Sequence, residues 1–331
     1  MERKRKVTIY DVAEKSGASA STVASILNGS WERRRIAPDT AARVNLVAET
    51  LGYSANRQAS ALRTSRSGLI GMIIPLHDNR YFSSISQSFE EEARRRSLCP
   101  VVVSTLRDPV EERHTVAKLI SHNIDQLFIA GATAPDTLSD MCSAASIAHI
   151  NIDLPGTHCA SVISDNYWGA QQLTQHLLHT AQGADIVFIG GIASDFNTTE
   201  RARAFRETVM AQTGIMPAHD QINICGYSPE EGEAAIRRIY ARLGRLPSAI
   251  LVNSTISFEG VFRFLKELPD AAFEQTALGC YDWDPFLSHL HFPVSMVRQN
   301  AKALVKQAFD LLDSGDSGKQ IQMVRPDLLF T

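Results

Sequence analysis

Past Leu69 the chain alternates between two hydrophobic periods. Short apolar runs bounded by turn residues read as buried strands: "LIGMII", "CPVVVS", "QLFIAG", "AHINID", "ASVIS", "DIVFIGG", "AILVN" and "TALGC". Between them lie "ISQSFEEEARRRS", "GAQQLTQHLLH", "ERARAFRETVMAQ" and "EEGEAAIRRIYARLG", whose apolar positions recur at the spacing of one helix face. Such alternation predicts parallel sheets joined by right-handed crossovers, so the fold class is α/β.

The first fifty residues follow a different pattern. Ile9, Val12 and Ala13 form a short helical stripe that Thr8 can cap, with Asp11 three residues on completing a variant of the capping box. Gly17 stops this helix, because a left-handed C-cap suits glycine. Ser19 can then cap a second helix with Val23, Ile26 and Leu27 inward, and the tight glycine turn makes the pair a helix-turn-helix. A third helix starts at Pro38 and turns Val44, Val47 and Leu51 inward. In a helix-turn-helix the second helix enters the DNA major groove, and Ser19, Ala20, Ser21, Thr22 and Ser25 read as its outward residues. Small hydroxyl side chains let a helix sit close to phosphates and base edges.

Composition sharpens this picture. Residues 1–66 carry twelve Lys and Arg against six Asp and Glu, leaving 21 and 30 for the rest of the 331 residues. A basic head on an acidic body suggests a polyanion partner for the head alone. The five cysteines are odd in number and scattered, so neither a disulfide framework nor a zinc site is expected. The N-terminus has no apolar signal-peptide core, and no apolar run approaches the length of a membrane span. A cytoplasmic protein with no membrane partner is the expectation.

The run "VTIYDVAEKSGASASTVASILNG" resembles the headpiece of the lactose-repressor (LacI) family, as do "GY" at Gly52–Tyr53 and Asn56. The loop "GSWERRRIAP" resembles that of the fructose- and sucrose-repressor branch. The resemblance implies DNA contacts from Thr8, Tyr10, Ser19, Ala20, Ser21, Thr22, Ser25 and Asn28, and phosphate contacts from Arg33, Arg34 and Arg35. It also implies that "RQASALRTSRSG" is a hinge helix ordering on DNA, with Asn56, Arg57 and Ala59 near the duplex. Leu62 would be its minor-groove wedge, unstacking a base step. The expected division is a headpiece at 1–55, a hinge at 56–66 and an effector-binding, dimerising core of two lobes at 67–331. As in periplasmic sugar-binding proteins, "FPVSMVRQN" and "AKALVKQAFDLLDSG" are expected to return to the first lobe.

Ligands of open α/β sheets sit at the carboxyl ends of the strands. There the resemblance implies an effector site of Asn79, Phe82, Asp153, Asp165, Asn166, Arg201, Asn253, Ser254, Asp282 and Gln299. Amides, carboxylates, one guanidinium and aromatics suit a polyol, whose hydroxyls each donate and accept. Trp168 and Trp283 are further stacking candidates. Many relatives carry Arg where this chain has Leu154, so a second guanidinium is missing there and a free sugar is favoured over a phosphate. Ala204 replaces the usual glycine of the Arg201 motif.

No phosphate loop, nucleophile elbow or His-Glu-x-x-His motif occurs, and neither metal nor cofactor is expected. His176 and His179 share a helix face but lack a third ligand. The expectation is a repressor of carbohydrate genes, binding a pseudo-palindromic operator as a homodimer and released or retained by a small carbohydrate. No heptad pattern follows "MVRPDLLFT", which argues for dimers over tetramers. The rivals are a sugar-binding transport or chemoreception protein, which should carry a signal peptide, and a sugar-modifying α/β enzyme, which needs an acid/base pair.

Overall fold

The computed structural model describes residues 7–53, 66–181, 185–269, 272, 275–315 and 318–331. Its contacts separate two units, Met1–Ser67 and Gly68–Thr331.

In the first unit, α1 (Ile9–Ser16) begins where the Asp11 carboxylate accepts from both the backbone N–H and the hydroxyl of Thr8, each at 2.7 Å. Gly17 closes it at φ 66°, a left-handed conformation in which a side chain would be strained. Ser19 accepts from the Thr22 N–H at 3.1 Å and starts α2 (Ala20–Leu27). Pro38 occupies the first position of α3 (Pro38–Thr50). Val12, Val23 and Val44 meet with no exposed surface, flanked by Ile26, Ala41 and Ala48. Each buried valine contributes about 1.5–3 kcal/mol, and Arg43 Nε ties α3 to the Ser16 carbonyl at 3.0 Å.

The second unit has two lobes built to one plan. The first contains β1 (Leu69–Ile74), α4 (Arg80–Arg95), β2 (Cys99–Ser104), α5 (Pro109–Ser121), β3 (Gln126–Ala130), α6 (Pro135–Ala144), β4 (Ala148–Ile152) and β5 (Ser161–Ser164). The second contains α7 (Asn166–Ala181), β6 (Ile186–Ile189), α8 (Phe196–Thr213), β7 (Ile222–Asn223), α9 (Pro229–Leu243), β8 (Ala249–Val252), α10 (Thr255–Leu265), β9 (Ala277–Tyr281) and β10 (Val294–Arg298). The chain then returns through α11 (Ala301–Ser314) and β11 (Ile321–Val324) to the first lobe, and ends in β12 (Asp327–Leu329) of the second. The six-stranded sheets run β11-β5-β4-β3-β1-β2 and β12-β10-β9-β8-β6-β7, parallel except for β12.

Helices cover both faces of each sheet, which is why the strands read as continuous apolar runs. In the first lobe α4 and α11 bury Phe89 and Phe309 against Phe128, with ring centroids 5.0 and 4.4 Å from it. In the second, α9 and α10 approach backbone to backbone at Gly232 and Gly260, where a Cβ would strike Ser257 and Pro229 carbonyls.

One expectation is corrected. "FPVSMVRQN" does not return to the first lobe: β10 pairs with β9 and β12 in the second sheet. Val294 and Met296 are buried on one face of that sheet and Val297 on the other, as an interior strand requires. Only α11 and β11 go back. The sequence pattern also passes over β7, β11 and β12, short strands at sheet edges whose apolar runs are too brief to register.

Candidate functional site

On the headpiece, Ser19 and Ser21 are exposed and Ala20 and Thr22 partly so. The Ser19 hydroxyl lies 2.9 Å from Ser21 Oγ and 2.8 Å from Thr22 Oγ1, making a compact hydroxyl patch over the first turn of α2. Tyr10 is 73% exposed, Asn28 is exposed and Thr8 half-buried. Arg33, Arg34 and Arg35 are exposed on a turn anchored by Trp31, which packs on the headpiece core. Ser25 departs from the expected outward position. It is buried, and its hydroxyl donates back to the Ser21 carbonyl at 2.8 Å, satisfying itself within the helix. Asn56, Arg57, Ala59 and Leu62 lie outside the described residues.

In the core, the strand ends of both lobes converge on Arg201, a fully desolvated guanidinium of α8. Its Nε donates to Asn166 Oδ1 at 2.8 Å, its Nη1 to the Asn253 carbonyl at 2.9 Å, and its plane lies 3.6 Å from the Tyr281 ring centroid. Asn166 Nδ2 donates onward to Asn197 Oδ1 at 2.8 Å, and Asn197 Nδ2 to Asp153 Oδ1 at 2.9 Å. The Tyr81 hydroxyl donates to the same Asp153 oxygen at 3.0 Å. Asp153 thus joins a donor of the first lobe to one of the second. On the other side, Asn253 Nδ2 donates to the Tyr227 hydroxyl at 3.1 Å, and Gln299 Nε2 to Asp282 Oδ1 at 2.6 Å. Among the described residues Gln299 Oε1 has no hydrogen-bond partner, leaving a buried acceptor beside a cavity of about 360 Å³. Asp282, Trp283, Tyr81 and Arg80 also line that cavity.

Burial pushes the Asp153 carboxyl up to about 6, against the lowering pull of Arg201 and Arg107. Burial also raises Asp282, opposed by Arg201 and the Gln299 hydrogen bond. The Tyr81 hydroxyl is driven well above its usual range by burial and by Asp153. One buried cation facing several carboxylates is an environment tuned for hydroxyl partners, which both donate and accept.

The expected effector residues divide into two groups. Asp153, Asn166, Arg201, Asn253, Asp282 and Gln299 are brought together as described. Asn79, Asp165 and Ser254 cap helices instead, accepting from the N–H groups of Phe82, Trp168 and Ser257. Phe82 packs beside Gly131, with Arg107 over its ring at 5.8 Å. Trp283 lies between Arg80 and Arg298, at 5.9 and 5.5 Å. The missing guanidinium at Leu154 is replaced from another direction, because Arg107 on the loop after β2 reaches the cleft 5.1 Å from the Tyr227 ring. Tyr81, Arg107, Asp195, Asn197, Thr198 and Tyr227 are further candidates that the motifs do not single out. All but Tyr81, on the first turn of α4, follow the carboxyl ends of β2, β6 and β7, so the strand-end rule applied to every strand finds most of them. His176 spends its ring otherwise, bonding Ser295 Oγ at 2.8 Å and stacking on Phe330. Among the described residues no helix is long and apolar enough to cross a membrane.

Comparison with known proteins gives a consistent result. The profile described as "Bacterial regulatory proteins, lacI family" matches residues 8–56, and "Periplasmic binding proteins and sugar binding domain of LacI family" matches residues 67–268. The chain is 48% identical to the ribitol operon repressor of Klebsiella aerogenes over 192 residues, covering 56% of this chain and 71% of that protein. It is 26% identical to the sucrose operon repressor of Klebsiella pneumoniae over 98% of both chains. A structure of the Lac repressor dimer bound to operator and the anti-inducer ONPF superposes with a TM-score of 0.83 at 23% identity, over 98% of both chains. The chain therefore belongs to the LacI family, a family of DNA-binding transcriptional regulators.

Proposed function

We propose that this protein is a sequence-specific repressor of carbohydrate-utilisation genes whose operator affinity is set by a small polyol held between the two core lobes. The observation that carries the reading is the Arg201-centred hydrogen-bond chain, which ends on buried Asp153 and bridges the lobes. In this reading residues 1–55 bind DNA through Thr8, Tyr10, Ser19, Ala20, Ser21, Thr22 and Asn28, with Arg33, Arg34 and Arg35 on phosphates. Residues 56–66 form the hinge, with Leu62 as the minor-groove wedge, Ala59 its close-packing neighbour and Asn56 and Arg57 near the duplex, and residues 67–331 bind effector and dimerise. Two copies match the halves of a pseudo-palindromic operator. Lobe closure on the ligand changes the presentation of the hinges, and a coupling of 1–3 kcal/mol changes operator affinity about 5–150-fold.

The effector we favour is an acyclic pentitol such as ribitol, on the likeness to the ribitol operon repressor. The site works by binding, without turnover, in the cytoplasm. The test is fluorescence anisotropy of the full chain on DNA from its own upstream region, with ribitol, xylitol, D-arabitol, fructose and sucrose. A pentitol should change operator affinity at least fivefold and emerge unaltered. Indifference to every carbohydrate, or no preference for that DNA over random duplex, refutes the reading.

A further inference from the structure

The loop Thr105–Asp108 is built against its own preferences. Leu106 and Arg107 are consecutive non-glycine residues at φ 56° and 57°, a left-handed conformation that strains any residue bearing a Cβ. Leu106 is left 71% exposed. The loop is nevertheless fixed: Thr105 N–H donates to the Ile74 carbonyl at 3.0 Å, Leu106 N–H to the Pro75 carbonyl at 2.9 Å, and Asp108 N–H to the Thr105 carbonyl at 3.0 Å. What the strained pair achieves is direction. Arg107 turns into the cleft and sits over Phe82 of the first lobe at 5.8 Å and Tyr227 of the second at 5.1 Å.

Among the described residues this guanidinium has aromatic neighbours but no hydrogen-bond or ion-pair partner. The Asp195 carboxylate before α8 is similar: it stands at the cap position yet accepts no capping bond, and the charges of Arg107 and Arg201 act on it. A donor-only group and an acceptor-only group, close enough for the charge of one to act on the other, are thus each left with hydrogen bonds to make, and a hydroxyl can answer both. The charges of the cleft weigh against an anion, since Arg80 and Arg298 are paired with Asp284 and Asp327, and Asp153, Asp195 and Asp282 outnumber Arg107 and Arg201.

Resting on the polyol reading above, we infer that Arg107 determines effector specificity by donating to a terminal hydroxyl of a neutral polyol, which in turn donates to Asp195. Arg107 then belongs to the residues that sense how far the lobes have closed, because its two aromatic neighbours lie on opposite lobes.

The test is calorimetric titration of the full chain with ribitol, with each enantiomer of 1-deoxyribitol and with ribitol 5-phosphate, for wild type, R107M and R107K. A charge-assisted hydrogen bond is worth about 10–150-fold in affinity. Wild type should therefore lose about tenfold or more with one deoxy enantiomer and bind the phosphate more weakly than ribitol. R107M should lose about tenfold for ribitol and discriminate the deoxy compound by less than threefold, with partial recovery in R107K. A merely structural arginine leaves that discrimination untouched, so undiminished discrimination in R107M overturns the inference. Tighter binding of the phosphate does so too. If no pentitol binds wild type, the pentitol assignment falls and takes this inference with it; if ribitol binds and shifts operator affinity while R107M discriminates as before, only the inference falls.

Discussion

The two core lobes have the same strand order, and at the same place in it each ends a strand on an aspartate: Asp153 after β4, Asp282 after β9. Both adopt positive φ, 75° and 83°, which a side chain rarely accepts and which turns each carboxyl toward the cleft. From there the lobes diverge. Asp282 takes its hydrogen bond from Gln299 of its own lobe, whereas Asp153 is held by Tyr81 of its own lobe and Asn197 of the other. A duplicated scaffold thus supplies two equivalent acid positions, and the neighbours make one a cavity wall and the other a joint. The shared element is Arg201, whose charge acts on both.

The strongest way to break this comparison is to remove what the two aspartates share. R201M leaves two buried carboxylates without their cation and Asn166 Oδ1 without its donor. Loss of one partner from a buried ionic network costs about 3–5 kcal/mol, so scanning calorimetry should show a large drop in Tm, and the operator response to effector should vanish. A variant melting like wild type would show that the lobes do not depend on a common centre.

The next test separates the joint from the wall by pH. With its pKa moved from 3.8 to about 6, Asp153 holds its proton more tightly in the folded state than in the unfolded chain. The native state then binds the excess proton between those values, so this group lowers stability progressively as pH rises from about 4 to 6 and has no further effect above. At 1.36 kcal/mol per pH unit the change is on the order of 3 kcal/mol. D153N removes it, so the stability of D153N relative to wild type should climb between pH 4 and 6 and then level. D282N should change in the same direction, because burial raises that carboxyl too. A flat difference for D153N across this range means that the carboxyl titrates near its ordinary value and is not desolvated by the joint.

The lobes also show what was legible in the sequence and what was not. Strand interiors such as "LIGMII" and "DIVFIGG" are buried on both faces, and their runs announce the parallel sheets directly. The headpiece was legible for a similar reason, since Thr8, Gly17, Ser19 and Pro38 state the start and stop of each helix locally. Ser25 misled because a serine can bond its own helix as well as solvent, and spacing alone does not decide which. In the cleft, Asp153 and Arg201 stand in motifs, but Arg107 and Tyr227 arrive from loops after a half-exposed edge strand and a two-residue strand. Their partners are distant in the chain, and no local periodicity records that meeting. For the same reason Asn79, Asp165 and Ser254 sit in the right loops while their side chains are engaged in capping.

The smallest effect concerns a second link between the lobes. Arg80, at the start of α4, donates from Nε to Asp284 Oδ2 at 2.9 Å, with side chains 41% and 25% exposed. Partial exposure brings solvent screening, and pairs of this kind contribute about 0.2–1 kcal/mol. A double-mutant cycle of R80A and D284N should therefore return a coupling below 1 kcal/mol that fades as ionic strength rises past the point where the Debye length is about 10 Å. The Asp153 bonds to Tyr81 and Asn197 should hardly respond to salt, because they are buried and made to neutral donors. If the Arg80–Asp284 coupling instead exceeds the stability lost in Y81F, which removes one of those bonds, the rim of the cleft holds the lobes together and Asp153 is no joint.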